Sequence, residues 1–161
     1  MFNDFKPVLK ILLRFVILYV VMVLAYQFYL NHFKNTGLDP VSEWVANQAA
    51  FVQNFFGYHT QIVPGKPEQE TDWFYVSGRY VSRMVEGCNA ISVMVLFLAF
   101  VFAFYQGIRT FVFAGLGFIF LHLINVLRIA GLNILLVEWP QYSKIGHDYL
   151  FPAIIYGSVV L

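Results

Sequence analysis

The sequence predicts an all-α membrane protein, a polytopic helical bundle of about four transmembrane spans. Three observations predict it. Of 161 residues, 60% are hydrophobic and 12% charged, against about 45–50% and about 25% in soluble domains, and the mean hydropathy is +0.68. The apolar residues gather into runs of spanning length. Aromatic residues are abundant, with 18 Phe and 10 Tyr, which suits lipid-facing helices with aromatic belts at both interfaces.

The first span is expected at 11–30, since about 20 apolar residues cross a bilayer, with Arg14 snorkelling toward the near headgroups. The run exceeds a signal-peptide core, and no small-residue cleavage pattern follows it. The second, 90–105, carries no charge. The third, 111–137, is apolar except for His122, Asn125, Arg128 and Asn133. A fourth is expected over 149–161, short for a full crossing. The whole chain, 1–161, reads as a single membrane domain.

Between the first two spans lies the polar segment 31–87. Asp39-Pro40 supplies an N-cap and a first-turn proline. Val41, Trp44, Val45, Val52, Phe55 and Phe56 recur at helical spacing, opposite Asn47, Gln53 and Asn54. This predicts an amphipathic helix over 41–56, lying in the membrane interface on the extracytoplasmic side. Pro64-Gly65-Lys66-Pro67 is turn chemistry between β-prone stretches at 58–63 and 73–81, compatible with a small hairpin.

Orientation follows from Lys6, Lys10 and Arg14 at the start of the first span and from Arg109 in the short link 106–110, which contains no acid. Long loops weigh little in the positive-inside rule. The N-terminus and that link are therefore assigned to the cytoplasm, and the segment 31–87 to the opposite side of the membrane.

A net charge of +1 gives no reason to expect nucleic acid. One cysteine excludes an internal disulfide and a multi-thiolate metal site. With alternating spans, Cys88 falls at the outer start of the second span. Arg128 lies about 26 Å along the third span from its start at Phe111, at a rise of 1.5 Å per residue. His147 precedes the fourth span. All three reach the outer side.

Each residue has an ordinary reading: inert packing for the thiol, snorkelling for the guanidinium, a solvated loop for the imidazole. Their convergence favours chemistry. A cysteine at a helix N-terminus meets partial positive charge that favours the thiolate. Arg128 can donate hydrogen bonds to a developing oxyanion, and His147 can move protons. His122, Asn125 and Asn133 share a broad arc with Arg128 and are expected to face the bundle interior. His122 reads as an interhelical hydrogen-bond partner and Asn125 as an orienting group for Arg128. Glu86 can pair with Arg83 or Arg128, or lie exposed.

Three segments carry a resemblance. Glu86-Gly87-Cys88-Asn89-Ala90-Ile91 resembles the cysteine signature of the exosortase/archaeosortase family. Asn125-Val126-Leu127-Arg128-Ile129 is similar to its Asn-x-x-Arg-Ile segment, and Gly146-His147-Asp148 to its histidine motif. The likeness covers 84–161, and the small size is similar to the short F-type exosortases. Ala90 stands where the family usually has Gly, and Asn89 where Ser is common.

The resemblance implies a membrane cysteine peptidase and transpeptidase, with Cys88 as nucleophile, Arg128 as oxyanion donor and His147 as acid and base. Asn125, Glu86 and Asn89 would support them. Its substrates would be secreted proteins with a C-terminal sorting tail: a short motif, a hydrophobic helix and a basic end. The acceptor would be a lipid, a glycan or water, and no metal or organic cofactor is implied. Two other classes compete: a non-catalytic membrane scaffold, and a transport subunit in which His122, Asn125 and Arg128 line a polar path.

Overall fold

A computed structural model describes residues 6–142 together with Ala153 and Gly157. The fourth expected span and His147 otherwise lie outside the described residues.

The first helix, α1, runs Lys6–Phe33. Proline occurs only in its first turn, at Pro7, and there is no glycine to weaken it. It ends where Asn35 and Gly37 take positive φ, 61° and 112°, closing the last turn with a bond from the Thr36 N–H to the Phe33 carbonyl. None of its residues is buried. Leu9, Leu13, Ile17, Val21 and Leu24 all stand exposed.

The second helix, α2, spans Pro40–Phe55. Asp39 caps it, its Oδ1 accepting the Ser42 N–H at 3.1 Å, and Pro40 fills the first helical position. The start matches the sequence expectation, but the buried face differs. Ser42, Val45, Ala46, Ala49, Ala50 and Gln53 point inward, whereas Trp44, Phe51, Phe55 and Phe56 are exposed. The small alanines let the helix approach its neighbours closely. Gln53 is buried with its Oε1 accepting the Thr60 hydroxyl at 2.8 Å, while among the described residues its Nε2 has no partner.

Three antiparallel strands follow in the order β1-β2-β3: β1 Thr60–Pro64, β2 Thr71–Val76 and β3 Arg79–Val85. A helical bundle with a small hairpin is thus extended to helices plus a three-stranded sheet. The β-prone stretch expected as one strand over 73–81 is broken by Ser77-Gly78, both at positive φ, 50° and 78°. That two-residue turn has the twist that joins antiparallel strands. Val81 is an extra residue in β3, opposite the Phe74/Tyr75 register shift. Inward residues Phe74 and Met84 pack with Val45, Ala46, Ala49 and Ala50 of α2. The outer face carries Trp73, Tyr75 and Tyr80, packed edge to face.

The third helix, α3, covers Ile91–Ala103, and the fourth, α4, Ile108–Glu138. The 13 residues of α3 rise about 20 Å, shorter than the expected 90–105 span and than a bilayer core of about 30 Å. Among the described residues, α1 and α4 are the helices long and apolar enough to cross a membrane, with hydropathies of 2.5 and 2.1.

The chain divides into two compact units. One holds α1, α3 and α4 as far as Phe120. Here α3 and α4 pack antiparallel, with Phe97 against Phe113 and Phe102 against Phe111. Gly117 leaves room for the Phe97 ring, whose Cζ would stand 2.2 Å from a Cβ at that position. Phe15 of α1 meets Phe100 edge to face, and Arg14 Nη1 donates to the Ala103 carbonyl at 3.5 Å. Arg14 therefore caps the negative end of α3. The N-terminal part of α1 thus reaches the end of α3 that leads into α4, whose first turn carries Arg109.

The other unit holds α2, the sheet and α4 from Leu121. Val126, Ile129 and Ala130 of α4 join Phe74, Met84 and the α2 alanines in its core. Asp72 is buried at 5% exposure. Its carboxyl is pushed above the usual range, first by burial and then by the charge of Glu43, against an opposing backbone hydrogen bond from Gly65.

Candidate active site at the cysteine turn

Cys88 lies in a 3₁₀ turn, Glu86–Asn89, that leaves β3 and precedes α3. Val85 enters the turn in extended conformation, and Ala90 leaves it with φ 60° and ψ 12°. That left-handed conformation costs any residue with a Cβ, and it turns the chain sharply after the cysteine. Cys88 is a free, half-buried thiol.

Two elements clamp the turn. From α2, Ser42 accepts a hydrogen bond from Asn89 Nδ2 at 2.9 Å, and both residues are buried. From α4, Asn125 Nδ2 donates to the Cys88 carbonyl at 2.9 Å and Arg128 Nη2 to the same oxygen at 3.3 Å. Asn125 and Arg128 are three apart on one helix and so present neighbouring side chains. A single carbonyl oxygen, with two lone pairs, can accept both donors. The guanidinium has five N–H donors in a planar fork, so holding the turn by one of them leaves others beside the same residue. Asn125 is fully buried, and among the described residues its Oδ1 has no partner.

The rest of the polar arc of α4 is also anchored. His122 Nε2 lies 2.7 Å from Gln48 Oε1. With a carbonyl-type acceptor there, Nε2 carries the proton, an assignment made from the bond. The ring stacks on Trp44, with centroids 4.7 Å apart and planes at 12°. His122 is thus a helix–helix hydrogen-bond partner, as expected, and its partner belongs to α2. Asn133 Oδ1 accepts the Ser82 hydroxyl at 2.5 Å, and Tyr58 donates to Glu138 Oε1 at 3.0 Å. Burial and then the Glu138 charge assist that hydrogen bond in holding the Tyr58 phenol above its ordinary range, the hydrogen bond being the largest cause.

Of the site residues expected from sequence, Cys88, Asn89, Asn125 and Arg128 come together. Glu86 is exposed. His147 lies outside the described residues. Sequence reasoning missed Ser42, Gln48 and Ser82, the partners that orient Asn89, His122 and Asn133. Ser42 sits three residues after the Asp39 cap, where it reads as part of the helix start alone, and nothing local marks it as a partner 47 positions from Asn89.

The arrangement can hold a half-buried thiol in a fixed turn, with a guanidinium and a carboxamide anchored at the same residue. Searches against family models, curated proteins and solved structures find no match to the chain.

Proposed function

We propose that the chain is a membrane-embedded cysteine peptidase and transpeptidase of the exosortase kind. The observation that carries this reading is the meeting of Asn125 and Arg128 on the Cys88 carbonyl. Residues 37 and 40 positions away, from two of the three segments that resemble the family, act on one turn.

Cys88 Sγ attacks the scissile carbonyl, and the substrate's acyl portion is held as a thioester while the amine leaves. His147 supplies the proton to that amine and then activates the acceptor, a lipid, a glycan or water. Arg128 donates from its fork to the oxyanion of each tetrahedral intermediate. Asn125 and Asn89 keep the turn in register, and the exposed Glu86 is left to solvent or substrate.

The protein sits in the cell inner membrane with α1 and α4 crossing, α3 and a segment over 149–161 completing four spans, and Cys88 on the extracytoplasmic side. The basic residues at the start of α1 (Lys6, Lys10 and Arg14) and Arg109 in the first turn of α4 support that orientation. The exposed apolar surface of α1 supports lipid as its solvent. Substrates are secreted proteins with a C-terminal tail of motif, hydrophobic helix and basic end.

A second reading has its own support. Both α4 donors reach the carbonyl of Cys88, a bond that packing alone would employ, so a non-catalytic scaffold also fits. Transport finds less support, because His122, Asn125 and Arg128 are all bonded to protein partners and not free along a path.

Co-expression with secreted proteins bearing such tails separates the readings. The peptidase reading expects a thioester adduct on Cys88 by mass spectrometry and complete loss of processing in Cys88→Ala, with insertion unchanged. Arg128→Lys should lower turnover by about 10²-fold or more, because a point charge does not replace the planar fork. Normal processing in Cys88→Ala establishes the scaffold instead.

A further inference from the structure

β3 and the cysteine turn are continuous: the strand ends at Val85 and the turn begins at Glu86. Among the described residues β3 is also an edge strand. Which of its main-chain groups face outward follows from the bonds on the far side of the sheet. Thr60 points its backbone away from β2, because Asn54 takes both its N–H, at 2.7 Å, and its carbonyl, at 3.3 Å. Its neighbour His59 instead accepts the Ser77 N–H at 2.8 Å.

Antiparallel ladders alternate between pairs that exchange hydrogen bonds and pairs that do not. Through the register Thr60↔Val76, Gln61↔Tyr75, Ile62↔Phe74 and Val63↔Trp73, the β2 residues Asp72, Phe74 and Val76 turn their backbone groups toward β3. Their partners Met84, Ser82 and Arg79 are therefore laddered. Arg83 and Val85, opposite Trp73 and Thr71, present N–H and C=O to the open edge.

The two edges of the sheet differ. β1 is closed by the Asn54 carboxamide and by Pro64, devices that stop further pairing. β3 has a bulge at Val81 near its hairpin end, which spoils regular pairing there, and keeps a regular stretch, residues 82–85, beside the cysteine. Among the described residues no strand covers it.

We propose that this edge is the substrate-docking strand: an extended segment of the polypeptide substrate adds to the sheet at Arg83 and Val85, next to Cys88. The inference rests on the peptidase reading and gives it a mode of recognition. Two residues of the edge, spaced about 6.8 Å apart, offer a repeating donor–acceptor pair. An extended polypeptide backbone carries the complementary pair at the same repeat, which a lipid or a glycan does not. Main-chain pairing holds the segment independently of its side chains, and the acyl end is delivered to the turn that follows.

The test uses Cys88 only as a point of attachment. N-acetyl-tetra-alanine ending in cysteamine is joined to Cys88 of the full chain, in nanodiscs, by exchange with its pyridyl disulfide. Amide hydrogen exchange is then followed residue by residue. Tethering raises the effective peptide concentration to the millimolar range. The expected result is about tenfold slower exchange at Arg83 and Val85, with no change at Met84 or Thr60. The twin with every alanine N-methylated should lose the effect. Unchanged exchange at Arg83 and Val85, or equal slowing with the twin, overturns the proposal. So does protection before tethering that grows with protein concentration, since a second copy of the chain would then own the edge. Failure of the peptidase reading shows separately, as processing that survives Cys88→Ala.

Discussion

Ala90 carries its methyl group in left-handed backbone, at φ 60°, two residues after the thiol. Such a conformation costs an L-residue about 1–2 kcal/mol, and strain of this kind persists only where surrounding contacts hold it. The clamp from Asn89, Asn125 and Arg128 is that surrounding. A glycine at this position, as the resemblance leads one to expect, would remove the penalty. Ala90→Gly should therefore raise stability by up to about 1 kcal/mol, the gain being trimmed by a freer unfolded chain. Ala90→Val should lower it by about 1–2 kcal/mol, because a branched Cβ tolerates positive φ worst. Denaturation of the purified protein in detergent measures both. Asp72 gives a second residue-level expectation. Its folded pKa is raised by burial and by Glu43, so its contribution to stability is fully present below the unfolded value of 3.8. That contribution is lost as pH rises through the folded value. At pH 7 the ionised side chain opposes folding. Asp72→Asn should raise Tm at pH 7 and abolish the part of the acid stabilisation that this group supplies; an unchanged pH profile would contradict the assignment.

Elements meet through small residues as much as large ones. The contact of α3 with α4 depends on Gly117, where a Cβ would stand 2.2 Å from Phe97 Cζ. Gly117→Ala must displace an aromatic ring and should cost about 1–3 kcal/mol. Phe97→Leu in the same chain should recover part of the loss, a coupling that a double-mutant cycle reads directly. The face of α2 illustrates the same point. Hydrophobic periodicity weights Trp44, Phe55 and Phe56, yet the helix buries Ala46, Ala49 and Ala50 and leaves the aromatics outside. Backbone proximity favours small side chains, and a pattern read from bulk overlooks them. The helix start at Asp39-Pro40 was legible because capping is local. The turn at Ser77-Gly78 is also written locally, as a Ser-Gly turn dipeptide, but the β-prone residues on either side, Trp73–Val76 and Tyr80-Val81, read as one continuous strand and mask it.

Across the molecule, the legible features were those written in apolar length and in the separation of motifs. The apolar lengths of α1 and α4 follow from the runs of apolar residues, and the approach of Arg128 to Cys88 from alternating spans; that Asn125 binds the Cys88 carbonyl, and not the guanidinium, was not legible. The sheet was half legible, because its third strand depends on pairing partners distant in sequence. The partners of Asn89, His122 and Asn133 were not legible, because Ser42, Gln48 and Ser82 are ordinary polar residues until the packing of α2, β3 and α4 brings them into reach. His122 shows the difference. From sequence it is a polar residue in an apolar helix, and in the structure its imidazole is stacked on Trp44 and bonded to Gln48.

The Ser77-Gly78 turn has one more consequence. Nothing stands within 4 Å of a Cβ at Gly78, so a short epitope inserted between the two residues should leave the strands on either side intact. Antibody staining of spheroplasts, stripped of the outer membrane, before and after permeabilisation of the inner membrane would then report which compartment that loop inhabits, without touching the sulfur chemistry. An epitope readable only after permeabilisation would invert the orientation assigned to the protein.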